Sequence, residues 1–108
     1  MPQLLRSWCC AALLSLAACA VRAADAPATI VLAKEFMFAP ASLTVATGST
    51  VTWTNSDDEP HTVVSESGLF RSGALDTNES FSYRFDKPGT YRYACSIHPR
   101  MVGTVVVQ

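Results

Sequence analysis

Past residue 28 the chain reads as a series of short extended runs. In Thr50-Val51-Thr52-Trp53-Thr54 apolar and hydroxyl side chains alternate, which places Val51 and Trp53 on one face of a strand and the threonines on the other. Thr90-Tyr91-Arg92-Tyr93-Ala94-Cys95 repeats the period, so Tyr91, Tyr93 and Cys95 share a core-facing side and Cys95 closes the series at a strand end. Runs rich in valine, threonine and aromatics predict strands over 29–33, 42–45, 50–55, 61–64, 80–85, 89–95 and 103–107. Thr47-Gly48-Ser49 and Asp86-Lys87-Pro88-Gly89 supply the clearest turns, because glycine and proline set dihedrals that strands do not use. No helical stripe of useful length follows residue 24, and a short turn is placed near 69–75. The pattern predicts an all-β sandwich or barrel.

The first residues follow a different rule. Met1 to Trp8 carries one positive charge at Arg6, and from Trp8 to Ala20 almost every residue is apolar or small. About 13 such residues fall short of the roughly 20 that cross a bilayer as a helix. Residues 1–23 therefore read as an export signal to the periplasm, 24–28 as a short small-residue linker and 29–108 as the single folded domain. Ala18-Cys19-Ala20 and Val21-Arg22-Ala23 both suit a signal peptidase. Leu16-Ala17-Ala18-Cys19 also resembles a lipobox that would leave a lipid on Cys19. The soluble route is favoured, since so short a linker gives a tethered domain little reach.

Charge and cysteine usage narrow the function. The chain has eight basic and nine acidic residues, and the leader accounts for Arg6 and Arg22. No basic patch remains for nucleic acid. Cys9, Cys10 and Cys19 lie in the leader, so Cys95 is alone in the domain and has no partner for a disulfide. A free thiol oxidises in an exported protein, so a ligand role is the more economical account.

The chemistry gathers in Cys95-Ser96-Ile97-His98-Pro99-Arg100-Met101, which spaces a thiolate, an imidazole and a thioether three residues apart. The chain's other histidine, His61, follows Pro60. Each of these residues alone is more often core filler or a loop residue. Together they form the donor set of a type 1 copper site, because thiolate and thioether suit Cu(I), imidazole suits both oxidation states, and two histidines with one cysteine accept a long axial methionine. Zinc is the nearest alternative, but it gains little from a thioether.

Residues 28–107 resemble a small blue-copper protein, a cupredoxin of the amicyanin and plastocyanin group. The resemblance rests on the compact C-x-x-H-x-x-M loop, on Val51-Thr52-Trp53-Thr54-Asn55 ahead of Pro60-His61, and on Gly89-Thr90-Tyr91-Arg92-Tyr93 ahead of Cys95. It implies a Greek-key β-sandwich of about seven to eight strands with one copper ion at one end. His61, Cys95 and His98 would be the equatorial ligands and Met101 the axial one. Thr62 stands where many members of the group carry asparagine, and one hydroxyl offers fewer groups than an amide, so a looser link between the ligand loops is expected.

The resemblance also implies a single-electron carrier with no enzymatic activity, whose electrons pass through the exposed edge of His98. Pro60 and Pro99, with Met37 or Phe38, would form an apolar collar around it. A second route through an aromatic residue before the cysteine is not expected, since Ala94 stands there. Redox donors and acceptors such as an amine dehydrogenase or a c-type cytochrome are the implied partners of a monomeric carrier. Asp57-Asp58-Glu59 reads either as a solvated run or as a charge that steers a basic partner. A copper carrier or storage module is the competing function, and it would need an exchangeable site. A copper enzyme would need further histidines, and both are already committed.

Overall fold

The structure, a computed structural model, is described for residues 29–108, and the expectations for the export signal, lipid attachment and linker lie outside the described residues. Eight strands form two four-stranded sheets: β1 (Thr29–Lys34), β2 (Met37–Ala39), β3 (Ser42–Val45), β4 (Thr50–Asn55), β5 (Val64–Ser65), β6 (Ser80–Arg84), β7 (Gly89–Ala94) and β8 (Val102–Val107). One sheet runs β2-β1-β4-β6 and the other β3-β8-β7-β5. The chain changes sheet at every connection except the β1–β2 and β7–β8 hairpins. This is a Greek-key sandwich, and no helix occurs among the described residues.

Alternation holds the layers together. Val51, Trp53 and Asn55 of β4 are buried while its threonines face outward, where Thr52 and Thr54 meet Ser82 and Ser80 of β6 through hydroxyl pairs of 2.8 Å. Val31, Val51, Trp53, Tyr93 and Val105 are almost completely buried between the sheets. Tyr93 packs edge-on against both Trp53 and Phe38, and its ring lies over Gly103, its register partner on β8. A Cβ at Gly103 would fall inside that ring.

The topology gathers three connections at one end. β1 and β4 run parallel, so the β1–β2 turn and the β4–β5 connection leave from the same side. β7 runs antiparallel to β5, so it ends where β5 begins. The β7–β8 loop therefore joins the other two.

The strands depart from the expected set in three places that bear on the site. β2 was not expected. The strand placed over 61–64 is reduced to β5, and His61 forms only an isolated bridge with Leu75. The Val63 N–H explains the gap, because it donates to Ser72 Oγ at 2.7 Å instead of to a neighbouring strand. β7 ends at Ala94, which leaves Cys95 at the mouth of the loop.

Candidate metal centre

Local hydrogen bonds set each donor. Asn55 is fully buried at the end of β4, where Nδ2 donates to the carbonyls of Glu59 and Leu75 at 2.8 Å each and Oδ1 accepts the Asp57 N–H at 2.9 Å. That ties down the loop leading to His61, whose backbone exchanges two bonds with Leu75 at 3.1 and 2.7 Å. The second loop closes on itself: the Cys95 N–H donates to the Met101 carbonyl at 3.0 Å, and the Met101 N–H donates to the His98 carbonyl at 2.9 Å.

These loops bring the expected residues together. Cys95 Sγ lies 3.9 Å from Nδ1 of His61 and 3.9 Å from Nδ1 of His98, and the three donor atoms all fall within 4.8 Å of one another. His61, Cys95 and Met101 are buried, whereas His98 is partly exposed. Burial alone would push the Cys95 thiol up, but the backbone N–H groups of Thr62, His98 and Ile97 and the His98 ring outweigh it and bring the thiol down to about 6. A thiolate is thus available near neutral pH.

Asp57 defines how His61 presents itself. Its Oδ2 lies 2.7 Å from His61 Nε2, which places the proton on Nε2 and leaves the Nδ1 lone pair facing the sulfur. The same carboxylate accepts the N–H groups of Glu35 at 2.7 Å and Phe36 at 3.0 Å. Burial would raise the Asp57 carboxyl, yet these N–H donors and the His61 ring hold it below its ordinary value. Asp57 is therefore not a free docking charge, and of the acidic run Asp58 and Glu59 are the exposed members.

Asp57 also stabilises an unfavourable turn. Glu35 and Phe36 have φ of 54° and 57°, a conformation that costs about 1–3 kcal/mol per non-glycine residue. Hydrogen bonds to a charged acceptor, about 1.5–3 kcal/mol each, are large enough to offset it. The turn sets the Phe36 ring edge-on to His61 at 5.4 Å and to His98 at 4.9 Å. The collar residue from this segment is thus Phe36. Phe38 is buried in the core, and Met37 is exposed outside the shallow cleft formed by Phe36, Ile97, His98, Pro99, Arg100 and Met101.

Thr62 links the loops more firmly than expected. Its hydroxyl accepts the Ser96 N–H at 2.8 Å and pairs with Ser96 Oγ at 2.8 Å, while its backbone N–H points at Cys95 Sγ from 3.4 Å. Ser96 supplies the second group that a lone threonine lacks.

The cluster fits copper better than a hard cation. It offers sulfur and imidazole nitrogen, and the nearby carboxylate of Asp57 is engaged on the far edge of the His61 ring.

Comparison with known proteins agrees with this geometry. A family model described as a cupredoxin-like domain matches residues 7–107. Amicyanin-alpha of Methylorubrum extorquens is 39% identical over 94 residues, spanning 82% of this chain and 79% of that protein. Plastocyanin of Scenedesmus fuscus is 39% identical over 85 residues, spanning 67% and 87%. Among solved structures, a purple cupredoxin from Nitrosopumilus maritimus superposes with a TM-score of 0.70 at 34% identity, covering 74% of this chain and 99% of that one. A Cu(I) form of an amicyanin variant gives 0.72 at 32% identity, covering 80% and 89%.

Proposed function

This chain belongs to the cupredoxin-like family, and on that premise we propose that it is a periplasmic single-electron carrier, its one copper ion held by His61, Cys95 and His98 with Met101 as the axial donor. Bound copper supplies one-electron chemistry between Cu(I) and Cu(II). The observation that carries the reading is the convergence of the His61, Cys95 and His98 donor atoms within 4.8 Å of one another, with His98 the partly exposed member.

The chain's own residues do the rest. Asp57 and the Leu75 backbone fix His61, the Thr62–Ser96 pair fixes the two loops against each other, and the Cys95–Met101 bond closes the ligand loop. Such a framework needs little rearrangement between oxidation states. The His98 edge offers the route in and out, and the Phe36, Ile97 and Pro99 surface around it suits a brief encounter with a redox protein, which needs less than about 1,200 Å² of buried surface. An amine dehydrogenase or a c-type cytochrome is the class of partner that the family resemblance implies. The amicyanin and plastocyanin relatives support reading the chain as a carrier and not as an enzyme, and both histidines are taken up by the proposed copper site.

A copper carrier or storage module would require easy exchange, and the burial of His61 and Cys95 disfavours it. Voltammetry and chelator competition on one copper-loaded sample separate the two. Reversible one-electron transfer with metal exchange many orders of magnitude slower supports the carrier. Rapid loss of copper to a chelator, without a reversible wave, contradicts it.

A further inference from the structure

The β1–β2 turn presents an arrangement that core packing does not require. Glu35 and Phe36 both hold positive φ, a conformation that glycine or asparagine adopts at less cost. Phe36 buries only about half of itself, being 47% exposed. Its ring nonetheless meets both imidazoles of the donor cluster and walls the shallow cleft that reaches His98 and Met101. The carboxylate that holds this turn, Asp57, is the one that orients His61. A single side chain thus couples the position of a ligand to the position of the ring over it.

We propose that Asp57 and Phe36 act as one unit, in which Asp57 is a positioning residue that fixes the turn and His61 together, and Phe36 is the cover that keeps water and small ligands off the His61, Cys95 and His98 donors. The inference rests on the copper reading only for what the donors hold. An apolar wall beside a metal site controls solvent access and the local dielectric. Phe36 supplies that wall on the side of the two imidazole rings, and the partly exposed His98 retains an edge for a protein partner. Asp58, next in sequence but exposed and without a bond to the turn, has neither role.

Two measurements on the full chain test the unit. In the copper-loaded protein, azide titration followed by its charge-transfer band is expected to show no binding in the wild type or in Asp58→Ala. Phe36→Ala and Asp57→Ala are expected to develop a saturable azide band over the same concentration range. Without added metal, alkylation of Cys95 by iodoacetamide, located by peptide mapping, is expected to accelerate at least tenfold in the same two variants. Combining Phe36→Ala with Asp57→Ala should add less than threefold, because both remove the same cover. Repeating the alkylation at low denaturant concentrations separates native access, which is insensitive to denaturant, from global unfolding. Asp57→Asn serves if Asp57→Ala does not fold.

The proton on His61 Nε2 supplies a readout that a general loss of packing would not move. Its hydrogen-bonded NMR resonance should persist in Phe36→Ala and disappear in Asp57→Ala. Alkylation of Phe36→Ala within twofold of the wild type overturns the cover. A Phe36→Ala effect without an Asp57→Ala effect overturns the coupling. If copper does not bind at all, the copper reading fails while the alkylation result still decides this proposal.

Discussion

Replacing Asn55 with alanine removes the fastening of the loop that carries Asp57 and His61. Three hydrogen bonds disappear: those from Nδ2 to the Glu59 and Leu75 carbonyls and that from the Asp57 N–H to Oδ1. The Leu75 carbonyl keeps the His61 N–H at 3.1 Å and is not orphaned. Glu59 is exposed and Asp57 is partly exposed, so water reaches their freed groups. At about 1 kcal/mol per bond, the loss comes to roughly 3 kcal/mol, with little added for stranded partners. For a domain of this size that corresponds to a fall in Tm of roughly 15 °C. Asn55→Asp keeps the shape but turns oxygen toward the Glu59 and Leu75 carbonyls, so the folded state favours the protonated acid and the carboxyl is raised. A raised acid stabilises the fold below its unfolded value of about 3.9 and loses that contribution as pH rises. Relative to the wild type at each pH, Asn55→Asp should be less damaging at pH 4 than at pH 7. Urea unfolding of the metal-free protein measures both. A loss below about 1 kcal/mol for Asn55→Ala, or an Asn55→Asp penalty indifferent to pH, would show that Asn55 does not fasten this loop.

Other changes report on separate parts of the structure. Gly103→Ala drives a Cβ into the buried Tyr93 ring and should destabilise by about 1–3 kcal/mol or more in the same unfolding assay. Thr62→Val removes the hydroxyl that donates to Cys95 Sγ from 3.8 Å, leaves more charge on the sulfur, and should lower the reduction potential by up to roughly 40 mV, the equivalent of one hydrogen bond of about 1 kcal/mol. Met101→Gln should lower the potential, since a harder axial donor favours Cu(II); voltammetry reads both shifts. In the metal-free protein the Cys95 thiolate absorbance should titrate near about 6, against an ordinary value of 9.0. Because the fold favours the ionised thiol, stability contributed by Cys95 is present above pH 9 and is lost as pH falls from 9 to 6.

Much of the sandwich is visible in the side-chain period. Thr50–Asn55 alternates without interruption and forms β4 with Val51 and Trp53 inside, as its pattern predicts. Ser42–Val45 likewise coincides with β3. The short spacing of Cys95, His98 and Met101 makes the candidate loop legible, because all three fall in or at the ends of the one short connection between β7 and β8. What stayed hidden depends on tertiary contact. β2 has three residues and one buried side chain, Phe38, which is too little for an alternation to register. Its turn contains neither glycine nor asparagine, so the usual signal is absent, and only the distant Asp57 carboxylate explains why Glu35 and Phe36 accept positive φ. Asp57 itself reads as one charge in an acidic run. A carboxylate four residues before a candidate histidine ligand was the available cue, but spacing alone does not show that it meets the ring. The consequence of Thr62 was also hidden, since its partner Ser96 lies 34 positions away.

The copper centre is tested most directly by titrating the metal-free protein with Cu(II), followed by visible absorption and electron paramagnetic resonance, with Cys95→Ser alongside. Saturation is expected at one copper per chain, with an intense visible thiolate-to-copper charge-transfer band in the wild type and loss of that band in Cys95→Ser with the fold retained. A colourless wild-type protein that has taken up one Cu(II), or a band that survives Cys95→Ser, would contradict a copper centre ligated by Cys95.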